Sequence, residues 1–135
     1  MVGLLESRVG RGTLLHRALQ LDAVASGLLG ALLVAASGAV GRLLGLPAVL
    51  LLDAGVVMLV WAGVAGWLGA RARVPRRGAA AVIVINVLWA VDSVVLLFTG
   101  WVEPNGLGVA FVVVQALAVL GLAAVQYVGL RLSRT

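Results

Sequence analysis

Six polar side chains interrupt long apolar stretches of this chain: Asp22, Asp53, Asn86, Asp92, Gln115 and Gln126. In hydrocarbon a carboxylate costs at least about 2.5 to 3.5 kcal/mol on insertion scales, so each acid demands compensation or use. Carboxylates accept hydrogen bonds, carry protons or bind cations, while carboxamides both donate and accept. Those are the chemistries that these residue types offer. Nucleophilic catalysis is not among them, because no base accompanies Ser26, Ser37 or Ser93. No ligand-spaced pair such as Glu-x-x-His exists, so the sequence gives neither catalytic nor metal-ligating residues. A single histidine, His16, cannot supply two axial haem ligands and sits beside Arg17 like a headgroup-region residue. With no cysteine and no lysine, thiolate sites, disulfides and imine chemistry are excluded. No cofactor is expected.

The elements that must position these residues are four apolar stretches, 18–40, 47–70, 78–99 and 106–130. Each exceeds the roughly 20 residues needed to cross about 30 Å of hydrocarbon. Arg8, Arg11, Arg17, Arg71, Arg73, Arg76, Arg77, Arg131 and Arg134 fall on one side of them, and Arg42 alone on the other. By the positive-inside bias, both termini and the 71–77 loop face the cytoplasm. Short loops then predict an all-α, antiparallel four-helix transmembrane bundle running up, down, up, down. A chain of 135 residues that is 63% hydrophobic leaves no room for a second domain, so residues 14–131 form one membrane domain. Residues 1–13 read as a mobile or surface-lying N-terminus. A cleavable signal peptide is the rival reading of the first stretch, but its apolar run is too long and carries Asp22 near its start.

Finer signals concern ends and faces. Pro47 ends helix at Leu46 and suits the first turn of the next, so the first helix runs on towards Leu44 and its outer end lies along the surface. Asn105 is placed like an N-cap, and Trp101, Trp67 and Tyr127 like interfacial anchors. Small residues recur at four-residue spacing: Ser26 and Gly30, Gly41 and Gly45, Ala62, Gly66 and Ala70, and Gly121, Val125 and Gly129. Such spacing serves close helix approach within the bundle or against a second copy.

At about 1.5 Å per residue, Asp53, Asp92 and Gln115 lie about 6 to 10 Å below the outer boundary, while Asp22 and Asn86 lie at similar depths from the inner one. Two polar clusters follow: an outer one of Asp53, Asp92, Gln115 and Arg42, and an inner one of Asp22, Ser26, Asn86 and Gln126. Gln115 and Gln126, three turns apart, share one face of the fourth helix; Asn86, Trp89 and Ser93 share one on the third. These faces should point into the bundle, since lipid cannot satisfy them.

The clusters admit two readings. In the first they tie helices together, with Asp92 bonded to Gln115, Asp22 to Asn86, and Arg42 paired with Asp53 or Glu103. In the second, Asp92 is a proton-titrating or ligand-binding carboxylate. Trp61 and Trp89 are core packing in the first reading and can line an apolar cleft in the second. Net charge +5 does not point to nucleic acid, because the arginines sit at helix ends and no basic face with stacking aromatics exists.

The segments LDAVASGLLG (21–30), NVLWAVDS (86–93), QALA (115–118) and QYVGLR (126–131) resemble an uncharacterised group of small four-span integral membrane proteins of GC-rich bacteria. The likeness is one of style over the chain from Leu21 onward, and it carries over no functional residue. It implies a multi-pass protein of the bacterial inner membrane. In size the chain also resembles DoxX-like proteins, without a motif that assigns it there. It departs from small multidrug transporters in having no Glu in the first span. The reading that results is a non-enzymatic interaction or accessory module in contact with lipid and with a second copy or a larger membrane-protein partner. Its alternative is a small dimeric carrier or lipophilic-ligand binder using Asp92, Asp53 and Gln115.

Overall fold

The computed structural model describes residues 2–133, with side chains from residue 14 onward; over the segment expected to be a mobile or surface-lying N-terminus, the backbone from Val2 is helix continuous with the first span. Among the described residues there are five helices: α1 (Val2–Ala35), α2 (Ser37–Leu44), α3 (Ala48–Ala70), α4 (Arg76–Leu96) and α5 (Gly106–Leu132). Four of them contain a stretch long and apolar enough to cross a membrane: Leu14–Ala35, Ala48–Ala70, Arg76–Leu96 and Gly106–Leu132. The protein is an all-helical four-helix bundle with one short extra helix. One end carries Arg71, Arg76 and Arg131 and is called the arginine end; the other is the far end.

The first span departs from expectation by ending at Ala35 rather than at 40. Ala36 leaves helical geometry, with φ −127° and ψ 30°, although its N–H still donates to Leu32 O at 2.8 Å. The Ser37 and Gly38 pair that follows is a composition at which helices bend. α2 then turns onto α3 and α5. It stops at Gly45, whose φ of 70° is the left-handed conformation that glycine adopts without Cβ strain.

α1 and α3 form the tightest pair, running antiparallel: Ala23 faces Gly66, Gly27 faces Ala62 and Gly30 faces Gly55. A Cβ on either Gly30 or Gly55 would come within 2.9 Å of the other's carbonyl oxygen, so here the backbones themselves touch. Gly27, Gly30, Gly55, Ala62 and Gly66 therefore serve the bundle interior, whereas Gly63 meets nothing within 4 Å. Gly121 likewise has nothing within 4 Å, but Gly129 accommodates Leu15 of α1. α4 pairs with α5, and α5 with α1.

The ring of neighbours is incomplete. α3 and α4 follow one another in the chain but meet only marginally. At the arginine end Leu15, Leu19, Leu68, Ala79, Val82 and Leu130 close the core. At the far end a second core gathers Leu33, Leu44, Leu46, Leu51 and Val112 from α1, α2, the 45–47 turn, α3 and α5, with no buried residue from α4. Large apolar side chains such as Leu28, Val60 and Leu117 cover the outside of the bundle, while three of its polar ones are buried. That inversion suits a hydrocarbon solvent.

Candidate functional site

The buried polar residues Asp22, Asn86 and Gln126, at 1%, 5% and 0% exposure, lie together at the bundle axis. Asp22 is held by α1, Asn86 by α4 and Gln126 by α5, about 9 to 15 Å from the arginine end of each described span at 1.5 Å per residue. Asn86 Nδ2 donates to Asp22 Oδ2 at 2.8 Å, and Gln126 Nε2 donates to the same oxygen at 2.9 Å. Ser26, one turn along α1, donates to Oδ1 at 3.0 Å. From α3 the Trp61 indole reaches Oδ2 at 3.4 Å. Asn86 closes the network by donating to Gln126 Oε1 at 3.0 Å.

Every hydrogen bond to the Asp22 carboxylate is donated by a neighbour, and together the donors come from all four spanning helices. α1 and α4 lie across the bundle from one another without backbone contact, so the Asp22–Asn86 bond spans that diagonal. The arrangement is a clasp: the acceptor is saturated and no polar side-chain atom buried here lacks a partner. The inner cluster expected from sequence, Asp22, Ser26, Asn86 and Gln126, is thus one bonded group in space. Trp61 belongs to it as well, a hydrogen-bonding role that neither the packing nor the cleft-lining reading of this residue includes. The overlooked signal is general: an indole N–H at mid-span must find an acceptor.

The outer cluster does not assemble in the same way. Asp92 and Gln115 face one groove, but they are not bonded to each other. Gln115 Oε1 accepts from Trp89 Nε1 at 3.0 Å, and its Nε2 donates to Val112 O at 2.9 Å, one turn back on its own helix. The indole thus takes the place that Asp92 was expected to fill. Asp92 itself is exposed along the groove and makes no hydrogen bond or ion pair among the described residues. Asp53 is exposed elsewhere on α3, outside the groove, and is equally unpartnered. The expected ion pair of Arg42 with Asp53 or Glu103 is not formed. The physical reason is the break at Ala36: with α2 turned onto α3 and α5, Arg42 faces a surface hollow at the far end together with Glu103.

The groove lies where α3 and α4 diverge. It encloses about 500 Å³, within the 300 to 1,000 Å³ typical of small-molecule sites. Leu29 and Leu33 of α1 are at its back, Leu51 and Met58 of α3 on one side, and Trp89 and Asp92 of α4 on the other. Its polar atoms are few: Asp92, Ser93, Gln115 and Thr99, the last near the exposed Trp101.

The remaining polar residues act at helix ends, where the last four carbonyls lack helical partners. Gln20 donates to Gly69 O at 3.1 Å and Arg76 to Leu130 O at 3.1 Å, while the His16 ring meets Arg71 O at 2.7 Å. Asn105 does two jobs at the far end. Its Oδ1 caps α5 by accepting from Gly108 N at 2.8 Å, as the sequence predicts, and its Nδ2 donates to Leu43 O of α2 at 2.9 Å. Arg71 stacks over Trp67 at 4.8 Å, and Arg131 over Tyr127 at 5.8 Å, at the arginine end where both aromatics were expected to anchor.

These features define the class: a multi-pass α-helical membrane protein with a bonded polar centre and a groove between two of its spans. No protein-family model, curated protein or solved structure matches the chain.

Proposed function

We propose that the protein is a non-enzymatic membrane protein that holds a lipophilic ligand in the groove between α3 and α4. The observation that carries this reading is the pairing of about 500 Å³ of largely apolar space with a carboxylate, Asp92, that none of the described residues satisfies. A carboxylate inside a span that serves only structure should be bonded, as Asp22 is. Apolar walls with a small number of converging polar groups are what a small-molecule site needs. The expectation that no base accompanies Ser26 does not hold, since its hydroxyl donates to the buried Asp22 carboxylate; the non-enzymatic part rests on that carboxylate being occupied by three further donors, from Asn86, Gln126 and Trp61.

The arginine distribution supports a topology with both termini and the 71–77 loop cytoplasmic, and the resemblance to small four-span bacterial proteins supports the inner membrane. The groove then opens in the outer half. Native mass spectrometry of the protein released gently from its own membranes tests the ligand reading. A retained small molecule is the expected result; a protein that arrives bare, with the same groove labelled freely by lipid, would count against it.

A second reading, an interaction module, is favoured by Asp53. It lies exposed on α3, away from the groove and without a partner. A second copy or another helix that brings a donor there would relieve its cost. Asp53→Leu should then abolish a complex seen by single-molecule photobleaching in vesicles; an unchanged subunit count would remove this reading. A transport role would also require that complex, since four helices alone rarely enclose a path.

A further inference from the structure

Resting on the ligand reading above, we infer that the groove selects a free lipophilic amine, bound through its ammonium group to Asp92. Most donors around the groove are already committed within the protein: the Trp89 indole to Gln115, the Ser93 hydroxyl to Trp89 O, and the Thr99 hydroxyl to Leu96 O, while the exposed Trp101 indole N–H is left at its edge. Gln115 gives one amide hydrogen to Val112 O. Open acceptors outnumber what remains: both oxygens of Asp92, the Ser93 hydroxyl oxygen and the second lone pair of Gln115 Oε1.

A ligand with a carboxylate or phosphate head would find at most the second Gln115 amide hydrogen and the Trp101 indole as donors, and would face the Asp92 carboxylate. One with an ammonium head brings three donors and a positive charge to an unpaired acid. The walls agree with that polarity. Trp89, Trp101 and Phe111 line the same groove, and aromatic faces attract cations by about 0.5 to 2 kcal/mol. Arg42, the described cation nearest the far-end loop, lines the adjoining hollow and not the groove.

Depth separates a free amine from a lipid headgroup. Asp92 lies four residues before Leu96, the end of α4, and so about 6 Å inside the span at 1.5 Å per residue. An ammonium carried on a phospholipid is held at the headgroup level, whereas a free amine can enter sideways through the gap between α3 and α4.

The test uses the full chain in phosphatidylcholine nanodiscs, read by native mass spectrometry. Dodecylamine, dodecanol and dodecanoic acid are added at matched concentration. At least tenfold higher occupancy by the amine than by either of the others is expected, falling to the dodecanol level in Asp92→Asn. That variant removes no hydrogen bond within the protein, so its thermal unfolding by circular dichroism should match the parent. Equal occupancy by all three, or preference for the acid, would overturn the amine inference and leave a ligand groove. Displacement of the amine by added phosphatidylethanolamine would overturn the free-amine source. Absence of any adduct would overturn the groove reading as well.

Discussion

Replacing Asp22 by Leu removes the acceptor on which the clasp converges, and the size of the loss can be worked from its bonds. Three of them cross between helices, from Asn86, Gln126 and Trp61. Interhelical hydrogen bonds within membranes average about 0.6 kcal/mol and reach about 1.7, so three are worth about 2 to 5 kcal/mol. The Trp61 bond, at 3.4 Å, is long, which favours the lower half of that range. The cost of placing a carboxylate in hydrocarbon does not offset the loss, because the helices remain inserted when the bundle opens and the acid stays in the membrane in both states. Gln126 and Asn86 keep their mutual bond, which limits the damage.

Asp22→Asn is the matched control. Its amide oxygen can take the place of Oδ2, and its nitrogen can donate to Ser26, whose hydroxyl rotates to accept. The bonds survive and only charge assistance is lost, so the cost should stay below about 1 kcal/mol. Reversible unfolding in mixed micelles by added sodium dodecyl sulfate measures both variants. Stability should fall in the order parent, Asp22→Asn, Asp22→Leu. If Asp22→Leu lay within about 0.5 kcal/mol of the parent, the scatter of a neutral surface change, the clasp would not be holding the bundle. If Asp22→Asn cost as much as Asp22→Leu, the charge and not the bonding would be what matters.

Gly55→Ala should destabilise the α1–α3 pair by about 1 to 3 kcal/mol in the same assay, since its Cβ would meet Gly30 O and Val34 Cγ2 at 2.9 Å. Gly121→Ala, with nothing within 4 Å, should be neutral or mildly stabilising. Asn105→Ala should cost about 1 to 2 kcal/mol through the lost α5 cap, and hydrogen exchange should quicken at the C-terminal turn of α2 as well as at the start of α5. The chain has no cysteine, so Arg73→Cys and Gly100→Cys report topology directly. A membrane-impermeant maleimide applied to intact cells should label position 100 and leave 73 unlabelled; the reverse pattern would invert the orientation.

Much of the bundle was legible because it depends on local signals. Apolar length marks the four spans, Pro47 and Asn105 mark helix starts, and the spacing of Asp22 with Ser26 puts both on one face. Membership of the inner cluster was legible for a related reason, since buried polar groups at one depth have only one another to bond. What resisted reading was competition among partners. Nothing along the chain says that Trp89 and not Asp92 takes Gln115, because two residues on the same helix present donors to the same depth and only packing chooses between them. Arg42 was misplaced for a different reason: its position depends on the bend at Ala36, and a helix continued in register would have carried it elsewhere.

That bend also accounts for the contrast between the two acids. At the arginine end all four spans converge on Asp22 and the gap between α3 and α4 is filled by Leu68, Ala79 and Val82. At the far end α2 is an additional element, packed on α3 and α5 and fastened to the start of α5 by Leu44 O accepting from Asn105 N at 3.1 Å. It joins α3 to α5 at this end, and no buried residue of α4 enters the core there. α4 is left held chiefly by α5 on one side, and its other side, with Asp92, faces open space. The two acids differ, then, less by residue type than by how many helices reach their depth. Asp22 has donors from four, and Asp92 sits where the bundle leaves room for a group that is not its own.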